Sequence, residues 1–159
     1  MVVSDASPLI NLAAIGHLDL LRALYGTVCI PNAVHREVTR FEEQPGADAV
    51  QSLEWVKAQS CPRPDLATAL SEDLDAGEAE AIALAVDTGA LLLIDEREGR
   101  RAAARLDVSR LGLLGVLVEA KRTGHIPVLR PLIRSLRQDA GFWMSEALQN
   151  RVLEKVNER

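Results

Sequence analysis

The sequence predicts an α/β fold, a sandwich of helices around a central parallel sheet, and three observations predict it. Strand-like and helix-like segments alternate along the chain. The run "ALLLI" at 90–94 is apolar at every position, as suits a central parallel strand covered on both faces. The 159 residues, 48% of them hydrophobic, supply one core of ordinary size, so a single domain over 1–159 is expected.

Val2 and Val3 read as the end of a short buried strand, with Asp5 at its carboxyl end. Ser7 and Pro8 read as the N-cap and first position of a helix reaching Ile15 and closed by Gly16. A second helix runs from His17 to Leu24 and ends at Gly26, followed by a strand over Thr27 to Ile30 and a helix over Asn32 to Arg40. The turn at Gln44, Pro45 and Gly46 leads into a short helix and then a strand around Glu54 to Ala58. Ser60 to Asp73 is the most loop-like segment. Asp75 caps a helix of small and apolar residues that Gly89 closes, and the Ala90 to Ile94 strand follows. A helix over Glu96 to Leu106, a weak strand near Val108 to Leu111 and three further helices, split at Gly124 to Pro127 and at Gly141, complete the chain.

Composition excludes several classes. Two cysteines and three scattered histidines show no metal-ligand spacing, so neither a disulfide framework nor a structural zinc is expected. No run has the length of a membrane span and no basic segment precedes an apolar stretch at the start, so a cytoplasmic protein is expected. The net charge of −5 divides unevenly: the chain carries −10 through Asp95 and +5 beyond it. Arg97, Arg100, Arg101, Arg105, Lys121, Arg122, Arg130, Arg134 and Arg137 in the basic part form either a phosphate-facing surface or ordinary solvated helix faces.

The carboxylates carry the chemistry. Asp5 and Asp95 each end a predicted strand, and in an open parallel sheet the crevice lies at those ends. Glu37 lies in a helix that begins just beyond a strand end, and Glu78 lies in the first turn of the helix after Asp75. Each acid has an ordinary alternative: an Asx turn for Asp5, a helix cap for Asp95, surface charge for Glu37, and a capping box with Asp75 for Glu78. If the four converge, each ionised pair about 4 Å apart repels by roughly 4 kcal/mol at an effective dielectric near 20. Protons or a cation must then remove the repulsion. An all-oxygen donor set suits Mg²⁺ or Mn²⁺, ions that assist phosphodiester hydrolysis. Ser7 either orients Asp5 or caps the first helix.

The stretches "DASPLINLAAIGHLDLL", "IPNAVHREV", "LDAGEAEAIALA", "LLLIDEREGRRAA", "LGLLGVLVEAKRTGHIP" and "GFWMSEALQNRVLEKV" occur in order over most of the chain. This ordered set resembles the PIN-domain nuclease family, in particular its bacterial and archaeal branch of nucleic-acid-binding proteins. The resemblance implies a three-layer α/β/α sandwich with a central parallel sheet and an acidic metal-binding cleft. It carries the family's acidic quartet onto Asp5, Glu37, Glu78 and Asp95 as catalytic and metal-holding residues, with Ser7 at the small hydroxyl position; the charge split of the chain adds Arg97, Arg100 and Arg101 as candidate nucleic-acid contacts. It further implies an Mg²⁺- or Mn²⁺-dependent ribonuclease acting on RNA, and in many relatives a toxin paired with a small antitoxin.

The chain departs from the family pattern at two places. Glutamate stands at the third acid, where many relatives have aspartate, and Glu80 two residues on competes with Glu78 for the role. Leu113 follows Gly112, where relatives often have threonine, so a polar contact near the site is expected to be missing. Glu98 is either a further ligand or an exposed helical charge. With Phe 2, Trp 2 and Tyr 1 there is little material for base stacking, so phosphate and shape recognition are expected. Phe142 and Trp143 are expected in the core or, failing that, at a dimer or antitoxin contact. The competing readings are a PIN-fold module that binds nucleic acid or protein without cleaving, and a receiver-type phosphoryl-transfer domain, which would need an acidic pair near Asp5 and a lysine on a late strand.

Overall fold

Val2, Val3, Val28, Ile30, Leu92 and Leu93 are almost wholly withdrawn from solvent, so the segments carrying them must lie in the middle of a layered fold. The computed structural model describes residues 1–158. Five strands, β1 (Val2–Ser4), β2 (Val28–Pro31), β3 (Val56–Gln59), β4 (Leu91–Leu93) and β5 (Arg110–Leu111), form one sheet in the order β3-β2-β1-β4-β5. Every pairing is parallel. Helices flank the sheet: α1 (Ala6–Ala14), α2 (Asp19–Tyr25), α3 (Asn32–Thr39), α4 (Ala47–Ser52), α5 (Pro64–Leu70), α6 (Ala76–Thr88), α7 (Arg97–Arg105), α8 (Leu113–Arg122), α9 (Arg130–Gln138) and α10 (Glu146–Lys155). The α/β architecture expected from the sequence is the one observed.

The strand order decides where a site can form. The chain leaves β1 toward β2 and β3 on one side, then returns to lay β4 and β5 on the other, so the order reverses between β1 and β4. In that pair Ser4 lies opposite Leu93, and the Asp5 N–H donates to the Leu93 carbonyl at 2.9 Å. Asp5 and Asp95 therefore leave the same edge of the sheet from adjacent strands, which run about 4.8 Å apart.

Local structure differs from expectation at three places. Helix α1 begins at Ala6, with Asp5 rather than Ser7 at the N-cap. The sheet bond from Asp5 to Leu93 holds its backbone extended (φ −75°, ψ 173°), so the helix starts at once and Pro8 falls inside the first turn, where no intrahelical N–H is required of it. Within the loop-like Ser60 to Asp73 segment, Pro64 starts the seven-residue α5, whose Ala67 is buried. Strand β3 is displaced toward Gln59, and only Val56 of it is buried, as befits an edge strand bearing Lys57.

The chain's end is tied back by a carboxylate. Glu158 accepts from the Leu129 N–H at 2.6 Å and the Arg130 N–H at 3.0 Å, capping α9 from outside, and its Oε2 lies 3.4 Å from Lys121 Nζ. Burial alone would raise this carboxyl, but the two N–H bonds and Lys121 together hold it below its usual value. Glu158→Gln keeps the shape yet loses one acceptor and the charge at a helix N-terminus. It is expected to cost about 1–2 kcal/mol, read as a lowered urea midpoint at unchanged slope. Among the described residues no helix is long and apolar enough to cross a membrane.

Candidate active site

At the switch point a cavity of about 460 Å³ opens over the strand ends, and Asp5, Glu37, Glu78 and Asp95 all line it. Ser7, Asn11, Asp73, Asp75, Glu96 and Glu98 share the wall, and no histidine or cysteine does. Sequence reading missed Asp73, Asp75 and Glu96 as neighbours of the quartet. The density of acids between residues 72 and 80 was the available signal.

Each acid is placed by a local rule. Asp5 sits at the N-cap of α1 but makes no capping bond with its side chain; it is 5% exposed and its Oδ1 has no partner. Glu78 resolves the choice between cap and site by serving in both. Its N–H donates to Asp75 Oδ1 at 2.8 Å and its Oε1 accepts from the Asp75 N–H at 3.2 Å, completing the capping box, while Oε2 stays buried and unpartnered. Gly99 makes room for that oxygen, since a Cβ there would lie 3.1 Å from Glu78 Oε2 and 2.6 Å from Ile94 Cδ1. Glu80 turns away, accepting weakly from the Ala33 N–H at 3.4 Å and facing Arg36 at 3.9 Å. Glu98 is exposed and pairs with Arg101 at 3.3 Å, as a solvated helical charge does.

Asp95 is held by the main chain. Its Oδ1 accepts from the Leu113 N–H at 2.9 Å, and its Oδ2 is a third buried oxygen without a partner. The Leu113 side chain is fully buried in the core. The side-chain polar contact that leucine was expected to lack is not replaced, since the Leu113 backbone N–H is a donor that any non-proline residue here would supply. Gly112 permits the approach, because a Cβ there would stand 2.9 Å from Asp95 Oδ1 and 3.2 Å from an Arg100 guanidinium nitrogen. Gly112→Ala is expected to leave the sheet intact but displace Asp95. The check is the rise in melting temperature on adding Mn²⁺, which should be smaller than in the wild type.

Burial sets the electrostatics. It raises the Asp5 carboxyl to about 7, opposed by the nearby Ala6 N–H and assisted by the charges of Glu37, Glu78 and Asp75. It raises Glu78 to about 7 as well, opposed by the Asp75 N–H bond and assisted by the charges of Asp75 and Glu96. Asp95 is also pushed up by burial, against the Leu113 bond and the Arg100 charge. Glu37, exposed at the cavity mouth, is raised by partial loss of solvent and then by Asp75. Near neutral pH the cavity therefore binds protons that free carboxylates would have released.

Three orphaned buried carboxylate oxygens in a wall with no histidine or cysteine match the donor chemistry of a hard divalent cation. In the arrangement seen, no three acidic, histidine or cysteine side chains among the described residues group tightly enough to hold one. The donor set fits the ion, and the carboxylates line the cavity without having closed on a point.

Beside the acids lies a basic groove of about 410 Å³ lined by Asp95, Arg97, Arg100, Arg101, Ala104 and Arg110. Arg100 is partly committed to the fold, donating to the Ile94 carbonyl at 3.0 Å. Arg110, on the edge strand β5, joins the three arginines singled out from the sequence. Phe142 packs half-buried against the core, as expected, and also reaches the rim of the acidic cavity, whereas Trp143 departs from its expected core placement and is 82% exposed. The Gly141 turn, at φ +68°, and the absence of regular structure before α10 leave the tryptophan nothing to pack beneath.

The family model of the PIN domain matches residues 1–158. No curated protein matches the chain. With a match over nearly its whole length, joined to a five-stranded parallel sheet and an acidic cavity at the switch point, the chain belongs to the PIN-domain family.

Proposed function

We propose that this PIN domain is a divalent-metal-dependent endoribonuclease, hydrolysing RNA phosphodiester bonds in the cavity lined by Asp5, Glu37, Glu78 and Asp95. The observation that carries the reading is the set of three buried, unpartnered oxygens, one each from Asp5, Glu78 and Asp95. Such oxygens cost free energy unless a ligand satisfies them, and an RNA-cutting cleft supplies that ligand as Mg²⁺ or Mn²⁺. When bound, the ion would lower the pKa of a water and neutralise charge on the phosphate oxygens.

The chain's own residues do the rest. The Leu113 N–H fixes one oxygen of Asp95 so that the other faces the cavity, and the capping box does the same for Glu78. Glu37 at the mouth is placed to accept a proton from an attacking water, because its partly buried carboxyl has raised basicity. Ser7 on the wall is placed to orient Asp5 or a water. Arg97, Arg101 and Arg110 hold the RNA backbone by charge alongside Asp95.

The family resemblance supports a toxin role with a small antitoxin as partner; a homodimer is proposed as the assembly without support from that resemblance. A short open reading frame directly adjacent in the genome would favour the toxin role. Two free cysteines suit the reducing cytoplasm where such RNA is found. The loose spacing of the carboxylates favours one second reading, a PIN-fold module that binds nucleic acid or a protein partner without cutting. Incubation of end-labelled structured RNA with purified protein in Mn²⁺, Mg²⁺ or EDTA separates the two. Cleavage in either ion and none in EDTA is expected; binding without cleavage in all three would establish the module.

A further inference from the structure

A second cavity, of about 790 Å³, adjoins the acidic pocket and shares Asp95 and Phe142 with its wall. Its floor is apolar, made by Leu114 and Val118 of α8 and Val152 of α10. Trp143 stands at its edge, 82% exposed, the most exposed large hydrophobic side chain described. Arg100, Arg122 and Lys155 supply cations around it; Arg122 faces Glu119 at 3.6 Å, and the Arg100 charge acts on Asp95.

Resting on the nuclease reading of the acidic pocket, we propose that this cavity seats one unpaired nucleobase of the strand being cut, with Trp143 stacking on it. Three features select a base over other apolar occupants. The cavity shares Asp95 and Phe142 with the pocket where the phosphate is handled, and base and phosphate belong to the same nucleotide. The cations Arg100, Arg122 and Lys155 in its lining outnumber the acids Asp95 and Glu119, although the chain as a whole is acidic, which complements a polyanion. An exposed indole beside an apolar floor offers a flat π-face with little conformational entropy to lose, the feature that single-strand binders use for sequence-tolerant stacking.

Two tryptophans are present, so Trp55→Phe leaves Trp143 as the only indole reporter. In EDTA and low salt, a uridine decamer should quench Trp143 fluorescence and bind about tenfold more tightly than an abasic decamer of equal charge. Trp143→Ala should erase that preference without changing affinity for the abasic strand, and Trp143→Phe should keep most of it. The exposed position of Trp143 makes the alanine variant safe for folding. Equal binding of the two decamers by the parent protein, or an equal loss for both in Trp143→Ala, would overturn the proposal. So would conversion of a dimer to monomer by Trp143→Ala with RNA affinity unchanged, which would make the occupant a second copy. Because no metal is used, failure of the nuclease reading appears separately: base preference retained by a protein that cuts no RNA in Mn²⁺.

Discussion

Asp95→Asn is expected to abolish metal-dependent RNA cleavage, by about a hundredfold or more, while leaving the melting temperature unchanged or raised. The amide has the shape of the carboxylate, and its carbonyl oxygen can still accept from the Leu113 N–H at 2.9 Å. The second position changes from an unpartnered buried oxygen of a raised carboxyl to the NH₂ of a neutral amide. The charge that would hold the ion is lost, and with it a buried charge that the fold bears at a cost. Stability and activity therefore move in opposite directions, as they do where a site is strained for function. Undiminished cleavage by the variant would remove Asp95 from the mechanism. Inactivity accompanied by a drop of many degrees would mean unfolding rather than loss of a ligand.

Without metal, the protein is expected to lose stability as pH rises from 5 to 8, and Mn²⁺ at pH 8 is expected to restore it. The sign follows from the direction of the shifts. Asp5 and Glu78 are raised from 3.8 and 4.5 to about 7 in the folded state, so the native chain binds more protons than the unfolded chain between about pH 4 and 7. Stability falls across that window and the loss is complete above it. For buried Asp5 alone the penalty is on the order of 4 kcal/mol at high pH, with Glu78 partly sharing the same repulsion. Glu158 has the opposite sign, its folded-state carboxyl being lowered, but its contribution is lost only as pH falls below about 4 and so lies outside the window. A cation at a hundred times its dissociation constant adds about 2.7 kcal/mol, or roughly 5–10 °C for a domain of this size. A flat melting temperature from pH 5 to 8, or no response to Mn²⁺ at pH 8, would show that the acids are solvated and hold no ion.

The strands that place the site were legible because burial on both faces leaves an unbroken apolar run, and Val2, Val3 and Leu91 to Ile94 are such runs. Asp5 and Asp95 stood out as the first charges after them. Glu78 was legible twice over, as a cap and as a site acid, and only coordinates could show that its two oxygens divide the roles. What stayed hidden depended on atoms that one-dimensional patterns do not encode. The start of α1 was set by a sheet bond from Asp5 to Leu93, 88 positions along the chain, which overrode the Ser7-Pro8 signal. Helix α5 is too short to show a period. The Leu113 contribution is a main-chain donor, invisible to side-chain reasoning. Trp143 was assigned to the core by its hydrophobicity, whereas the turn at Gly141 carries it outside.

The bond between Asp95 and the backbone of Leu113 bears on how the protein is made. Leu93, the sheet partner of Asp5, and Leu113, the donor that orients Asp95, are made 88 and 108 positions after Asp5. At about 5–20 residues per second, roughly 5–22 s separate the synthesis of Asp5 from that of Leu113. Throughout that interval the nascent chain carries its acids unassembled, beside the RNA-rich machine that is synthesising it. On the nuclease reading proposed above, a centre that needs the Leu113 N–H to orient Asp95 is incomplete until that donor has been made.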